Sequence, residues 1–155
     1  MKKFSLTELI ISIVFAELVG AVSALFAGDF RGLYTELIQP SLAPPSWVFP
    51  VVWTILYALM GITSYMIYRS DNYRSKSALT VYLIQLAVNF SWSIIFFRFR
   101  LLTVAAVVAV ILTVLVGIMI IKFLSIRKKA GYLNMPYLLW MIFASYLAVG
   151  TALLN

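Results

Sequence analysis

Five long apolar stretches alternate with short polar segments along this chain of 155 residues. Each stretch holds about 20 mostly apolar residues, which is the length that an α-helix needs to cross the hydrocarbon core of a bilayer. The pattern therefore predicts an all-α membrane protein, a bundle of five transmembrane helices in a single domain covering residues 1–155. The predicted spans are about 6–27, 47–68, 78–97, 101–124 and 133–154.

The segment between the first two spans, about 28–46, is longer than most connections in helical bundles. Prolines are concentrated near its end, at Pro40, Pro44 and Pro45. The last two favour an extended backbone and cannot join a helix interior without cost. Because apolar residues and Tyr34 also lie in this segment, we expect it to pack over the bundle as a lid.

Composition supports the membrane assignment and excludes sites that depend on cysteine or histidine. The chain is 64% hydrophobic and 11% charged, whereas a soluble domain carries about 25% charged residues. It contains no cysteine and no histidine. The commonest zinc and haem ligands are therefore absent, as is any nucleophile–base pair built on these residues. We expect no metal site and no required cofactor.

Positive charge is distributed unevenly between the two ends of the predicted bundle. Most of the 12 lysines and arginines fall at the N-terminus and around the second and fourth connections. They are Lys2, Lys3, Arg69, Arg74, Lys76, Lys122, Arg127, Lys128 and Lys129. By the positive-inside rule, the N-terminus is expected to be cytoplasmic, with the lid on the opposite side of a bacterial cell membrane. The formal charge of +7 thus has a topological explanation and requires no nucleic-acid partner.

Aromatic and polar residues of several spans fall in the half of the bundle nearest the lid. At a rise of about 1.5 Å per residue, Trp53 lies about 9 Å, Asn89 about 12 Å and Trp140 about 21 Å below the lid end. These rings suit a flat polycyclic ligand, and the Asn89 amide could anchor a carbonyl group. Two structural alternatives stay open, namely tight packing of the tryptophans within the bundle and a helix–helix hydrogen bond from Asn89.

Four sequence blocks, taken in order, resemble the translocator protein family, also called the tryptophan-rich sensory proteins (TspO/MBR) or peripheral-type benzodiazepine receptors. The blocks are Pro40-Ser41 with Pro44-Pro45-x-Trp47, Val52-Trp53-x-x-Leu56-Tyr57, Asn89-x-x-Trp92 with Phe96-Phe97, and Pro136-Tyr137-x-x-Trp140 with Phe143-Ala144. Together they cover nearly the whole chain.

The resemblance implies a membrane receptor that binds porphyrins, such as protoporphyrin IX, and synthetic ligands of the isoquinoline carboxamide and benzodiazepine type. The ligand-binding residues implied are Tyr34, Pro44, Trp53, Tyr57, Asn89, Trp92, Trp140, Phe143 and Ala144. Some family members are implicated in porphyrin breakdown, and Trp53 and Trp140 are then the candidate catalytic residues for a light-dependent reaction. In that case the porphyrin is a substrate. The alternative is a transporter of porphyrins or other hydrophobic molecules.

A homodimer is also expected. Small residues allow close helix contact, and they recur at Ala16, Gly20 and Ala24 in the first span and in the alanine-rich fourth span. The resembled family includes homodimers.

Overall fold

The computed structural model describes residues 2–155, which form helices joined by short turns and one longer connection. The helices are α1 (Leu6–Ala27), α2 (Phe30–Glu36), α3 (Val48–Tyr68), α4 (Ser75–Ser93), α5 (Leu102–Ile126), α6 (Lys128–Leu133) and α7 (Met135–Leu154). A π-helical segment, Ile94–Arg98, continues α4.

Within residues 2–155, five segments are long and apolar enough to cross a membrane, which confirms the predicted fold class. They are Leu6–Ala27, Val48–Tyr68, Ser75–Arg98, Leu102–Ile126 and Lys128–Leu154. The third begins three residues before the predicted position 78. The fifth begins earlier than the predicted 133, because α6 precedes α7 with a break at Asn134.

The connection predicted as a lid, about 28–46, contains the short helix α2. Gly28, with a φ of 84°, ends α1 in a backbone conformation that favours glycine. Asp29 then caps α2, because its carboxylate accepts a hydrogen bond from the Gly32 N–H at 3.0 Å. The helix turns the chain back over the bundle, and the proline-rich residues that follow lead into α3.

Close approach of α1 and α3 depends on two glycines. A Cβ added at Gly61 would lie 2.5 Å from the Ile13 Cα, and one added at Gly20 would lie 2.3 Å from the Tyr57 ring. Neither distance is compatible with a larger residue unless the helices separate. A compact apolar core, which includes Met60, fills the end of the bundle that carries most of the basic residues, called the basic end below. The opposite end, called the lid end, contains a cavity.

The small residues that motivated the homodimer prediction are largely used within one chain. Ala16 is fully buried and Gly20 contacts the Tyr57 ring. On α5, Ala106 and Ala109 pack with Ala148 of α7. These contacts stabilise the bundle itself, whereas Ala24 stays exposed. A homodimer stays a prediction.

Candidate functional site

A cavity of about 220 Å³ lies at the lid end, between the long helices and beneath the lid. Its lining is mostly aromatic and aliphatic. The residues that line it are Gly20, Ala24, Ala27, Phe30, Tyr34, Gln39, Phe49, Pro50, Trp53, Tyr57, Asn89, Trp92, Ser93, Phe96, Phe97, Ala109, Leu112, Trp140, Met141, Ala144, Leu147, Ala148 and Thr151. The cavity thus combines an apolar wall with a few polar groups, the usual composition of a small-molecule site.

Edge-to-face ring contacts connect the lid to the helices around the cavity. Phe30 of α2 contacts Phe97 of the π-helical segment and Phe49 of α3, with ring centroids 5.0 and 5.7 Å apart respectively. Phe49 in turn contacts Trp140 of α7 at 5.7 Å. Each such pair contributes about 0.5–1.5 kcal/mol beyond burial. The rings form a continuous aromatic surface from the roof of the cavity to its wall.

Beneath the cavity lies a chain of buried hydrogen bonds, called the floor below, in which Tyr57 and Asn89 line the cavity and Tyr137 and Gln85 lie behind them. The Tyr57 hydroxyl donates to Asn89 Oδ1 at 3.1 Å, and Asn89 Nδ2 donates to the Tyr137 hydroxyl at 2.9 Å. Tyr137 donates onward to Gln85 Oε1 at 2.6 Å. All four side chains are buried. The chain fixes the orientation of the Asn89 amide, and the sequence expectation of helix–helix hydrogen bonding by this residue holds.

Two hydrogen-bond donors beside the cavity have N–H groups without a partner among the described residues. An asparagine amide has two N–H groups, and only one of those on Asn89 is used by Tyr137. The Trp140 Nε1–H is buried without a hydrogen-bond partner among the described residues. Trp92 differs, because its Nε1–H donates to the Ala105 carbonyl at 2.9 Å. Asn89 and, after a shift that exposes its buried N–H, Trp140 are therefore the candidate donors for a ligand carbonyl or ring nitrogen.

The lid is attached to the bundle by hydrogen bonds at several points. The Asn155 amide, just after α7, pairs with the backbone of Ile38, accepting from its N–H at 3.0 Å and donating to its carbonyl at 2.9 Å. The Tyr146 hydroxyl donates to the Ser41 carbonyl at 2.7 Å. Pro40 packs against Gly150, where an added Cβ would lie 2.7 Å from the proline Cβ. These contacts join the lid chiefly to the last helix.

Tyr34 organises the lid internally. Its hydroxyl donates to the Pro44 carbonyl, and its own carbonyl accepts from Gln39 Nε2 at 2.9 Å. Desolvation raises the pKa of Tyr34 above the ordinary tyrosine value. The hydroxyl therefore keeps its proton, and with it the bond to Pro44, across the physiological pH range.

Seven of the nine predicted ligand-binding residues line this one cavity, namely Tyr34, Trp53, Tyr57, Asn89, Trp92, Trp140 and Ala144. The other two support it from outside. Pro44 holds the Tyr34 hydroxyl through its carbonyl, and the Phe143 ring packs against Trp140 with centroids 5.6 Å apart. Both candidate catalytic tryptophans thus line the same cavity.

Residues 12–154 match the family model described as the TspO/MBR family. The chain belongs to the TspO/MBR family. It is therefore an integral membrane protein of the family that the four sequence blocks indicated.

Curated TspO/MBR relatives match over most of the chain. The tryptophan-rich protein TspO of Archaeoglobus fulgidus is 32% identical over 152 residues, covering 97% of this chain and 99% of the relative. Protein CrtK of Rhodobacter capsulatus is 32% identical over 97% of this chain and 94% of its own length. The tryptophan-rich sensory protein of Cereibacter sphaeroides is 34% identical over 79% of this chain and 76% of its own length.

Sequence reasoning missed several residues of the site. Tyr137, at the centre of the floor, belongs to the fourth sequence block, so its position beside Trp140 could have drawn attention to it. Phe30 lies four residues before Tyr34, the spacing that puts both rings on one face of a helix, but α2 itself was not predicted. Phe49 and Met141 carried no signal beyond their apolar character.

Proposed function

We propose that this protein is a membrane receptor for flat tetrapyrroles, with protoporphyrin IX as the first ligand to test. The same site would take aromatic carboxamides of the isoquinoline and benzodiazepine type. The observation that carries the proposal is the single cavity whose wall contains Trp53, Trp140 and Asn89 beneath a ring-rich lid. No resident cofactor is needed, since the porphyrin is itself the ligand or the substrate.

Shape and polarity both support this ligand class. A ligand that arrives from the bilayer gains little from burial alone, because lipid is already apolar. Selectivity must then come from ring stacking and from a few polar contacts. Trp53, whose ring centroid lies 5.5 Å from that of Tyr57, offers a broad face for stacking. Asn89 and Trp140 supply the free N–H donors.

The cavity is too small to hold a tetrapyrrole without rearrangement. Small-molecule sites usually measure about 300–1,000 Å³, whereas this cavity holds about 220 Å³. The cavity must therefore enlarge to hold a tetrapyrrole, and we infer that it does so when the lid moves away from α7 and the rings beneath it separate. Displacing α2 would remove Phe30 and Tyr34 from the roof and enlarge the space directly above Trp53 and Trp140.

Arginines at the lid end could meet the propionates of a porphyrin. Arg100 pairs with Glu36 at 3.2 Å, and Arg98 donates to the Phe26 carbonyl at 3.3 Å. Arg31 is exposed on α2. Since Arg31 lies on the lid helix, we expect it to follow a bound propionate, whereas the Arg100–Glu36 pair must break when α2 is displaced, because Glu36 is the last residue of α2.

A second candidate function is light-dependent consumption of the porphyrin. It is favoured by one specific observation, namely that both Trp53 and Trp140 line the cavity. An excited porphyrin could take one electron from an indole ring, which leaves a porphyrin radical anion and an indole radical cation. A receptor without this chemistry would leave the pigment unchanged under light.

The proposal includes a setting for the protein. We propose a bacterial cell membrane with the basic end in the cytoplasm and the lid on the opposite side, as the positive-inside rule indicates. We also propose a homodimer, formed through helix faces other than the buried alanine faces.

The test is a titration of the purified protein with protoporphyrin IX, followed by Soret absorbance in darkness and then under illumination. We expect saturable binding by the parent and weaker binding by Trp53→Phe and Trp140→Phe. The matched control is Trp47→Phe, because Trp47 is 62% exposed and lies outside the cavity. Asn89→Ala should lower the affinity for a carbonyl-bearing carboxamide by about tenfold, and it should lower the affinity for the analogue without the carbonyl much less.

The outcomes separate the two functions. If the parent bleaches the pigment under light and both cavity variants do not, the tryptophans have a chemical role. If all four proteins bind the pigment and none bleaches it, the protein is a receptor only. Equal affinity of the parent and both cavity variants would place the ligand elsewhere and overturn the proposed site.

A further inference from the structure

A second recess, of about 430 Å³, lies toward the basic end of the bundle, away from the lid. Helices α1 and α4 form its walls and α3 its floor. Nearer the lid these two walls are joined, because Ser23 Oγ donates to the Phe90 carbonyl at 2.7 Å. Toward the basic end they leave an opening between Phe15 and Leu83, which are 47% and 51% exposed. The recess therefore opens sideways into the bilayer.

The floor of this recess is polar. Ser12 Oγ and Ser64 Oγ are hydrogen-bonded at 2.8 Å, and Ser64 also donates to the Gly61 carbonyl at 3.0 Å. The Tyr82 hydroxyl lies close enough to Ser64 for a side-chain hydrogen bond, but the alignment is poor, since no well-formed bond joins it to any described residue although Tyr82 is only 4% exposed. A buried unpaired hydroxyl is costly in an apolar environment. An acceptor oxygen entering the recess would remove that cost.

The mouth of the recess carries net positive charge. The Lys2 ammonium lies 4.7 Å from the centre of the Tyr68 ring, and Tyr68 lines the recess. Arg69 pairs with Glu8 at 2.7 Å, but its Nε–H is buried without a partner in the described part of the chain. Two cations thus face one carboxylate, and one guanidinium donor is still free.

We propose that this recess binds one anionic glycerophospholipid from the leaflet at the basic end. Its acyl chain passes between Phe15 and Leu83, an ester carbonyl accepts the Tyr82 hydroxyl, and its phosphate meets Lys2 and Arg69. Ser64, the neighbour of Tyr82, lies five residues before Arg69, or about 7 Å along α3. The interfacial layer on each side of a bilayer is about as thick, so the polar groups are spaced as a phosphate and its ester groups require.

The charges and the free donors favour this occupant over the alternatives. A zwitterionic lipid would leave the net positive charge of the mouth uncompensated. A helix from a second copy would cover the Tyr82 hydroxyl and the Arg69 Nε–H with apolar side chains and leave both unpaired. The site is separate from the cavity beneath the lid, so it does not depend on the proposed porphyrin function.

The test is native mass spectrometry of the full chain after delipidation. The protein is offered equal amounts of phosphatidylglycerol and phosphatidylcholine with identical acyl chains. We expect the parent to retain one phosphatidylglycerol with a preference of about fivefold or more, because each interfacial cation contributes about that factor. Lys2→Gln should reduce the preference by about fivefold, whereas Lys129→Gln, the same charge change on α6, should not.

Two variants examine the recess itself. Leu83→Trp fills the opening and should abolish lipid retention, and the helical circular dichroism spectrum checks that the variant is folded. Tyr82→Phe removes only the hydroxyl and should weaken retention by about three- to tenfold. Equal retention of both lipids by the parent, or parent-like retention by Leu83→Trp, would contradict the proposal. Conversion of a dimer to a monomer by Leu83→Trp without lipid loss would identify a second copy as the occupant and equally overturn it.

Discussion

The floor and the roof of the cavity beneath the lid are held by hydrogen bonds in opposite environments. The floor chain through Tyr57, Asn89 and Tyr137 is buried among helices. The roof is attached through Asn155 and Ile38, whose hydrogen bonds lie at the surface. Both arrangements use a few side-chain hydrogen bonds, but only the roof bonds can be replaced by bonds to water.

Because of this difference, the floor and the roof are expected to differ in how easily they open. A buried group that loses its partner retains the full cost of desolvation, whereas an exposed group bonds to solvent instead. Segments with few buried contacts open most easily. The floor therefore keeps a fixed geometry for ligand recognition, while the roof can open and admit a ligand that is larger than the closed cavity.

Breaking the floor should have the largest effect. Tyr137→Phe leaves both Gln85 Oε1 and Asn89 Nδ2 without their shared partner, so we expect the free energy of unfolding to fall by about 2 kcal/mol or more. The measurement is unfolding in mixed detergent micelles, followed by circular dichroism. The control is Tyr146→Phe, which removes one exposed bond to the Ser41 carbonyl and should cost less than about 1 kcal/mol. Similar losses in both variants would show that floor and roof do not differ.

Releasing the roof should change kinetics more than stability. Asn155→Ala removes both bonds to Ile38, and we expect protoporphyrin IX to associate about two- to tenfold faster, because opening the lid becomes easier. Stopped-flow absorbance in darkness measures the rate. Asn72→Ala, the same substitution at the basic end, is the matched control. An unchanged rate in Asn155→Ala would mean that this contact does not limit entry.

The smallest expected effect is the change in the rate of porphyrin dissociation with pH. Desolvation raises the pKa of Tyr34 above its ordinary value of about 10. The neutral hydroxyl donates to Pro44, so its contribution to lid closure is complete below about pH 10 and is lost as the pH rises through the raised pKa. Porphyrin dissociation should accelerate only in that alkaline range. Tyr34→Phe should lack this inflection, and the same inflection in the variant would assign it to another group.

The spans and the general position of the cavity were predictable because they depend on local patterns. Continuous apolar runs fix the number of helices. The i, i+4 spacing of Trp53 and Tyr57, together with their depth, predicts that both side chains face one slab of the bundle. The depths of Asn89 and Trp140 along their helices place both residues in the same slab of the bundle, and all four residues line the cavity.

Other features depend on contacts between distant segments and could not be predicted. Tyr137 reaches Asn89 and Gln85 only because α7 has a particular rotation against α4, and many packing contacts set that rotation. The lid helix α2 spans seven residues, which is too few for its apolar positions to show a reliable helical repeat. The alanines at 106 and 109 suggested an intermolecular face, but α7 packs on them within the same chain.

Ligands are expected to enter the cavity only when the lid leaves α7. The chain contains no cysteine, so an introduced pair would form a single defined disulfide. Pro40→Cys with Gly150→Cys is a suitable pair, since an added Cβ at Gly150 lies 2.7 Å from the Pro40 Cβ and a shift of about 1 Å gives disulfide geometry. The measurement is the association rate of protoporphyrin IX in darkness, before and after reduction.

We expect the oxidised protein to bind the porphyrin at least about tenfold more slowly than the same double variant in its reduced form, and we expect reduction to reverse the effect fully. The single variant Gly150→Cys should respond to neither treatment. If the oxidised protein with the closed lid binds as fast as the reduced one, the ligand enters by another route and the lid is not the entrance.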